Sequence, residues 1–591
     1  MLKISKAALL AAVLSLSAVP AMALVGGAVV EERSFTTMAD LTTTIAIPTI
    51  TAVDSTMDEA ALRDVLTGGF MKHVDELARL SATSITIPEV TLKMTVTTPD
   101  GAVVTSVSYK DIVLSGVKDG VAASASVGSA ETQSPEGRFV FGKMATTTFN
   151  LAGILGLYGL VEGGGADQPM QTLYKDFSFE GGSFSGPNAS CSFGKVSAAE
   201  FDARPVKVSF AQLMEASSTL GAAKDNPPPE AVATLVSFLT DMFQAFKSEP
   251  MTIDGLSCKG TGEDGTPFDL AIGGLTMDGY APGIYPALTV KGIKVSDGGV
   301  NSVSLDEAVL KSIDLSAPIA ALEAEGKDLT PAWFEANYRK LIPAFGGISL
   351  SGLAMDVPNP DMPGQRIKAN VGSFDITLSD YLNGVPTRVA TSASGIDVPL
   401  PQDSTDDSVK MLLALGLTRV NLGYEFSAAW DKATQTLTLD QLSVSGADLG
   451  SIAVAAAIGN AAEQLFDADP RVAEAASMGL TLKGVTLDVA DAGLGDILAA
   501  MLAAQQGVDP AGYRTQMAGA LEGMTLQILG STDAARALGK AVGDFVAGKA
   551  RTLSVDIAAK DPAGIPVPVL MQAENDPSAL VSRVEITGTA K

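Results

Sequence analysis

The chain has 591 residues, with 67 acidic against 40 basic side chains and a formal charge of −27. That balance repels a phosphate backbone and argues against nucleic acid as a partner. Charged residues make up only 18%, glycines number 59, and the mean hydropathy is +0.27, a composition that leaves little room for long disordered segments.

Lys3 and Lys6 open the chain, Ala7 to Val19 is apolar and uncharged, and Ala21-Met22-Ala23 places small residues at alternate positions. This is the pattern of a secretory signal peptide cleaved near Ala23. Its apolar run is too short to span a bilayer, and no later stretch is long and apolar enough to do so. No Cys follows the cleavage position, which argues against a lipid anchor. The expectation is a bacterial protein of the periplasm or the medium, without a transmembrane segment after signal removal.

The next segment, DEAALRDVLTGGFMKHVDELARL, predicts a helix opened by a Thr56-x-x-Glu59 capping box. On its apolar face stand Leu62, Leu66, Phe70, Leu77 and Leu80, together with His73, the one histidine of the chain. There follow ITIPEVTL at Ile85, IVLSGVK at Ile112 and FSFEGGSF at Phe177. Their alternating apolar residues predict half-buried antiparallel strands, and a glycine inside such a run predicts a bulge or sharp bend. AAKDNPPPE, Ala222 to Glu230, reads as a stiff linker. An amphipathic helix with Leu235, Phe238, Leu239, Met242 and Phe246 on one face then leads to MTIDGLSC at Met251 and LTVKGIKV at Leu288.

TPAWFEANYRKLIP, with Thr330 as N-cap and Pro331 at the first helical position, leads to GISLSGLAMDV, Gly347 to Val357. The chain repeats this phrase as GLTLKGVTLDV, Gly479 to Val489, after a helical stretch interrupted by Pro470, and LTLDQLSV at Leu437 keeps the alternation without the glycine. Three further helices follow, the second opened by Asp509-Pro510 and the third spanning 533–547. The predicted fold class is α+β: diverged repeats of an amphipathic helix plus bent antiparallel strands, forming long curved sheets, with a helix-rich C-terminal part. The domains read as the signal peptide 1–23, an α+β module at 24–225, a second at 226–345 and C-terminal repeats at 346–591.

The residues for catalysis are mostly missing. A lone His on an apolar face reads as a packed core residue. With no second His and no CxxC spacing, a zinc site has no ligand set. No G-x-S-x-G elbow, and no phosphate-binding G-x-x-x-x-G-K-[ST] loop, is present. GGSFSGPNAS, Gly181 to Ser190, reads as a β-turn with surface hydroxyls. The glycines of Gly153 to Gly165 read as packing followed by a loop. Asp403, Asp406 and Asp407 read as a solvated acidic loop rather than a calcium site, and Gly539-x-x-x-Gly543 as a helix face packed closely on the sheet. Cys191 and Cys258, the only cysteines, read as one disulfide, with two unpaired thiols as the alternative. No cofactor and no enzymatic activity are expected.

The strand phrases ISLSGLAMDV, LTLDQLSVSG and LTLKGVTLDV, separated by helical inserts and following a signal peptide, resemble bacterial envelope proteins of the YdgA-like and AsmA-like kinds. The likeness runs over residues 80 to 490, and here a cleavable signal stands where those proteins carry a membrane anchor. It implies an elongated, curled β-sheet protein of the cell envelope that handles lipid, and it transfers no functional residue. Two roles remain open. One is a carrier whose sheets and helices hold an apolar ligand such as lipid. The other is a structural or interaction scaffold of the periplasm with solid cores and envelope proteins as partners.

Overall fold

A strand that alternates apolar and polar residues lays its apolar side chains on one face. In LTVKGIKV and its copies the alternation restarts one residue late, at the glycine. The computed structural model shows what that extra residue does. It describes residues 41–591 apart from 99–100, 162–167, 224–227, 263–264, 299, 327–328, 360–363, 403, 415 and 574–577. The signal-peptide reading at 1–23, Asp403 and most of the linker before Pro228 lie outside the described residues.

The α+β expectation is corrected. Among the described residues strand occupies 48% and helix 28%, and the paired strands are antiparallel. The reason is local. A mid-strand glycine lets a strand bend and continue, so ladders reach lengths such as Gly101–Lys118 and Arg366–Leu382. The helices sit in the connections between strands. The C-terminal part is likewise not helix-rich: its helices 494–506, 510–529 and 533–546 are one insertion between Thr481–Asp491 and Thr552–Ala559, two strands that pair with each other.

Contacts divide the chain into Met1–Ser302 with Ile319–Ala336, and Val303–Pro318 with Asn337–Lys591. In the first unit a long hairpin, Ala82–Thr98 with Gly101–Lys118, splits into two arms. One arm runs through Val121–Val127, Gln171–Phe179, Val196–Ala203, Met251–Ile253 and Gly274–Met277. The other runs through Ser129–Ser134, Gly137–Phe141, Gly182–Ser185, Ala189–Phe193, Leu256–Thr261 and Pro267–Ile272. Both rejoin on Leu288–Asp297. Glycines 128, 142, 181, 194, 255, 273 and 292 mark the crease between the arms. Contact there is close: a Cβ on Gly194 would lie 1.7 Å from the Asp254 carbonyl oxygen.

Aromatic side chains fill this crease. Phe179 of one arm stands 5.5 Å from Phe193 and 6.1 Å from Phe141 of the other, ring centre to ring centre. Phe177, Phe179, Val196, Ala198 and Ile253 are buried together beneath them. A second core lies under the short N-terminal helices, around Ile50, Leu62, Leu80 and Leu155. The continuous helix expected there is broken. Glu59–Asp64 is α-helical, Val65–Gly69 widens into a π turn in which Gly68 takes φ 120°, Phe70–Lys72 is a 3-10 turn, and α-helix resumes at Val74–Leu77. Asp58 is the N-cap, accepting from Ala61 N–H at 2.8 Å, while Thr56 Oγ1 accepts from Ser81 N–H.

The second unit is a meander. Gly347–Pro358, Arg366–Leu382, Val385–Pro399, Arg419–Asp431, Thr436–Gly446, Gly450–Gly459, Thr481–Asp491, Thr552–Ala559 and Val584–Ala590 pair in chain order. Gly352 takes φ 65° at the point where apolar positions pass from 348 and 350 to 353, 355 and 357. Gly372, Gly395 and Gly423 extend the crease over the next three strands. Among the described residues, the one buried apolar cluster of this unit is small and lies between helices, around Ala499, Ala503 and Tyr513.

Candidate functional site

Directly paired residues of an antiparallel sheet share a face, so the register of the meander defines its two surfaces. One row reads Ile348, Ile376, Thr391, Phe426, Leu442, Val454, Leu487, Val555. The row beside it reads Leu350, Phe374, Ala393, Tyr424, Val444, Ile452, Val489, Leu553. Between them, facing the other way, stand Ser349, Asp375, Ser392, Glu425, Ser443, Ala453, Asp488 and Ser554. The sheet is therefore two-faced, one surface aliphatic and aromatic, the other hydroxyl-bearing and acidic.

The apolar surface is left open. Leu442, Val444 and Ile452 are 46%, 49% and 49% exposed, whereas Phe179 and Val196 in the first unit's crease are 6% and 3% exposed. At its C-terminal end the surface is capped: a Cβ on Gly588 would fall 2.4 Å from Leu538 Cδ1, so helix Asp533–Val546 rests on Val584–Ala590. An uncovered apolar expanse of this kind marks a place where another apolar body binds.

The polar surface is held by ion pairs. Lys311 Nζ lies 2.7 Å from Asp375 Oδ2, and Ser349 and Thr377 donate to the same carboxylate. Burial opposes ionisation of Asp375, but the Lys311, Ser349 and Thr377 donors outweigh it and hold the carboxyl below its ordinary range. Of Asp356 and Asp488, matched in the repeated phrase, Asp488 stands in this polar row, and Asp356 lies beyond the bend at Gly352, paired with Lys368. The Arg366 guanidinium, with Lys368 behind it, lowers the Asp356 pKa, while Asp488 is exposed.

Other sequence-marked residues take structural places. Cys191 and Cys258 are directly opposed across two paired strands and are bonded, with Cα atoms 4.0 Å apart. His73 is half-buried rather than in the core: Nδ1 meets Glu76 Oε2 at 2.7 Å and Nε2 meets Asp64 Oδ2 at 3.1 Å. Asp406 accepts from Val409 N–H at the start of helix Asp407–Ala414, and Asp407 pairs with Lys410. Ser183 and Ser185 sit in a hairpin with Ala189–Phe193. Gly156 lies in helix Leu151–Leu157, and the glycine run at 163–165 falls outside the described residues. Gly539 and Gly543 face helix Pro510–Leu529 at Glu522 and Ala518, not the sheet. Their neighbour Leu538 takes the sheet contact, because the two glycines leave room only for a second helix.

Sequence reasoning missed Asp241. It is fully buried, with Oδ1 2.6 Å from Arg204 Nη2 and Oδ2 accepting from Lys207 N–H at 2.6 Å. A cleft of about 630 Å³ beside Asn460, Val472 and Gly479 has no signal in the sequence either. Its polar rim is committed internally, with Asn460 Nδ2 donating to the Gly479 carbonyl at 2.6 Å and Asp469 capping its helix and pairing with Arg471. Among the described residues no three His, Cys, Asp or Glu side chains stand as a metal-binding group, and no helix is long and apolar enough to cross a membrane.

A family model described only as "Uncharacterized protein" matches residues 443–591. No curated protein and no solved structure matches the chain.

Proposed function

We propose that this chain is an exported, non-enzymatic protein of the bacterial envelope that binds an apolar ligand, lipid in the first instance, on the open face of its C-terminal sheet. The observation that carries this reading is the pair of apolar rows across the meander, whose members at Leu442, Val444 and Ile452 remain about half exposed. Each methylene that a ligand buries there contributes about 0.8 kcal/mol. A few carbons of an acyl chain therefore outweigh any single polar contact. The disulfide fits an oxidising compartment, and the resemblance to envelope proteins agrees with this reading.

The scaffold reading has support in the N-terminal unit alone, where rings pack the crease solid. A supporting role for that unit is compatible with ligand binding by the other.

Native mass spectrometry of gently purified protein tests the proposal. Wild type is expected to carry lipid, or to acquire it from vesicles of phosphatidylethanolamine and phosphatidylglycerol. The triple change Leu442→Thr, Val444→Thr, Ile452→Thr should abolish uptake with little effect on the unfolding temperature, since all three side chains already meet water and threonine suits a strand. A wild-type spectrum showing only the bare chain before and after vesicle treatment would overturn the reading.

A further inference from the structure

The open face has one polar interruption. Thr391 stands in its row between Ile376 and Phe426, and Tyr424 stands in the adjoining row between Ala393 and Val444. Their hydroxyl oxygens lie 3.3 Å apart, and both residues are half-buried. Two hydroxyls bring two hydrogens, and the bond between them uses one. Among the described residues neither hydroxyl has a further protein partner, so one O–H remains for an outside acceptor.

We infer that the Thr391–Tyr424 pair receives the ester carbonyl of a bound acyl lipid, at the junction of hydrocarbon chain and headgroup. This rests on the apolar-face reading above and adds to it a chemical class and an anchor point. While water covers the face, the free O–H is satisfied. A ligand that displaces the water and offers only hydrocarbon leaves that hydrogen unpaired, which is penalised. A ligand with a carbonyl oxygen at that point relieves it, so the pair discriminates rather than drives binding.

The local charges favour a neutral oxygen over a phosphate or carboxylate. The basic side chains of these two strands, Arg388 and Arg419, are already paired with Asp380 and Asp397. An anionic group would call for a free guanidinium or ammonium beside the hydroxyls, and among the described residues the two hydroxyls bond only to each other. The ester region of a glycerolipid supplies a neutral acceptor with hydrocarbon on one side.

The test compares dipalmitoyl phosphatidylcholine with its dihexadecyl diether counterpart, which keeps the headgroup and chains and lacks the carbonyls. Both are offered together in mixed vesicles, and uptake is read by native mass spectrometry. Wild type is expected to prefer the diester roughly fivefold, the scale of one neutral hydrogen bond. The double variant Thr391→Val, Tyr424→Phe should bind both lipids equally, with an unchanged unfolding temperature. Equal uptake of the two lipids by wild type would overturn this inference and leave the apolar-face reading standing. A double variant that keeps the wild-type preference would overturn it as well. Uptake of neither lipid by wild type would overturn both.

Discussion

His73 owes its behaviour to carboxylates of its own helical segment, and Gly352 to a side chain of another strand. The Glu76 and Asp64 carboxylates hold both nitrogens of His73 and raise its pKa above the ordinary imidazole value. A raised folded-state pKa gives stability that is fully present below about 6.5 and is lost as pH climbs through the folded value. The chain has one histidine, so a single set of imidazole resonances should titrate above 6.5. A urea midpoint that falls over the same window in wild type should not fall there in His73→Gln. At Gly352, φ is 65° and an added Cβ would lie 2.1 Å from Asp306 Oδ2. Gly352→Ala should cost about 2 kcal/mol from the left-handed backbone and the contact together. Gly484, its counterpart in the repeated phrase, lies outside the left-handed region, and its added Cβ would meet the Ile557 carbonyl at 3.1 Å. Gly484→Ala should cost clearly less by the same denaturation measurement. Both glycine effects depend on contacts from distant strands, and for that reason the sequence could mark the two glycines but not weigh them.

At the scale of elements, the strand phrases were legible because alternation and a central glycine are local properties. So were the helix starts at Asp509-Pro510 and Thr330, where the expected caps accept from Gly512 and Trp333 N–H. The α+β assignment failed because periodicity reports that a helix exists and not where it packs. The helices proved to be excursions between strands already adjacent in the sheet. The site was legible only in part. The apolar surplus and the bent strands could be read, but the pairing of Thr391 with Tyr424 depends on register, which no single strand encodes. Leu538, buried where the last long helix meets Gly588, tests the cap on the open face. Leu538→Ala should cost about 3 kcal/mol as a cavity in a well-packed contact. It should also raise hydrogen exchange in Asp533–Val546 and Val584–Ala590 before the rest of the meander.

For the molecule as a whole, one repeated device produces two different interiors. Rings close the crease of the N-terminal unit, and a disulfide ties two of its strands. Replacing Cys191 and Cys258 by Ser removes a cross-link that closes a long loop and should lower stability by about 4 kcal/mol, read as a shift in guanidinium midpoint that reduced wild type reproduces. The lipid uptake proposed for the apolar face of the C-terminal unit should be unaffected by that change. The meander also bears on kinetics. Eight successive pairings join strands in chain order, and half of them close a loop of seven residues or fewer. Pairing of this kind needs little prior search of conformations. The unit can assemble in the order in which its strands emerge, with its longest delay where three helices must form before Thr552–Ala559 can reach Thr481–Asp491.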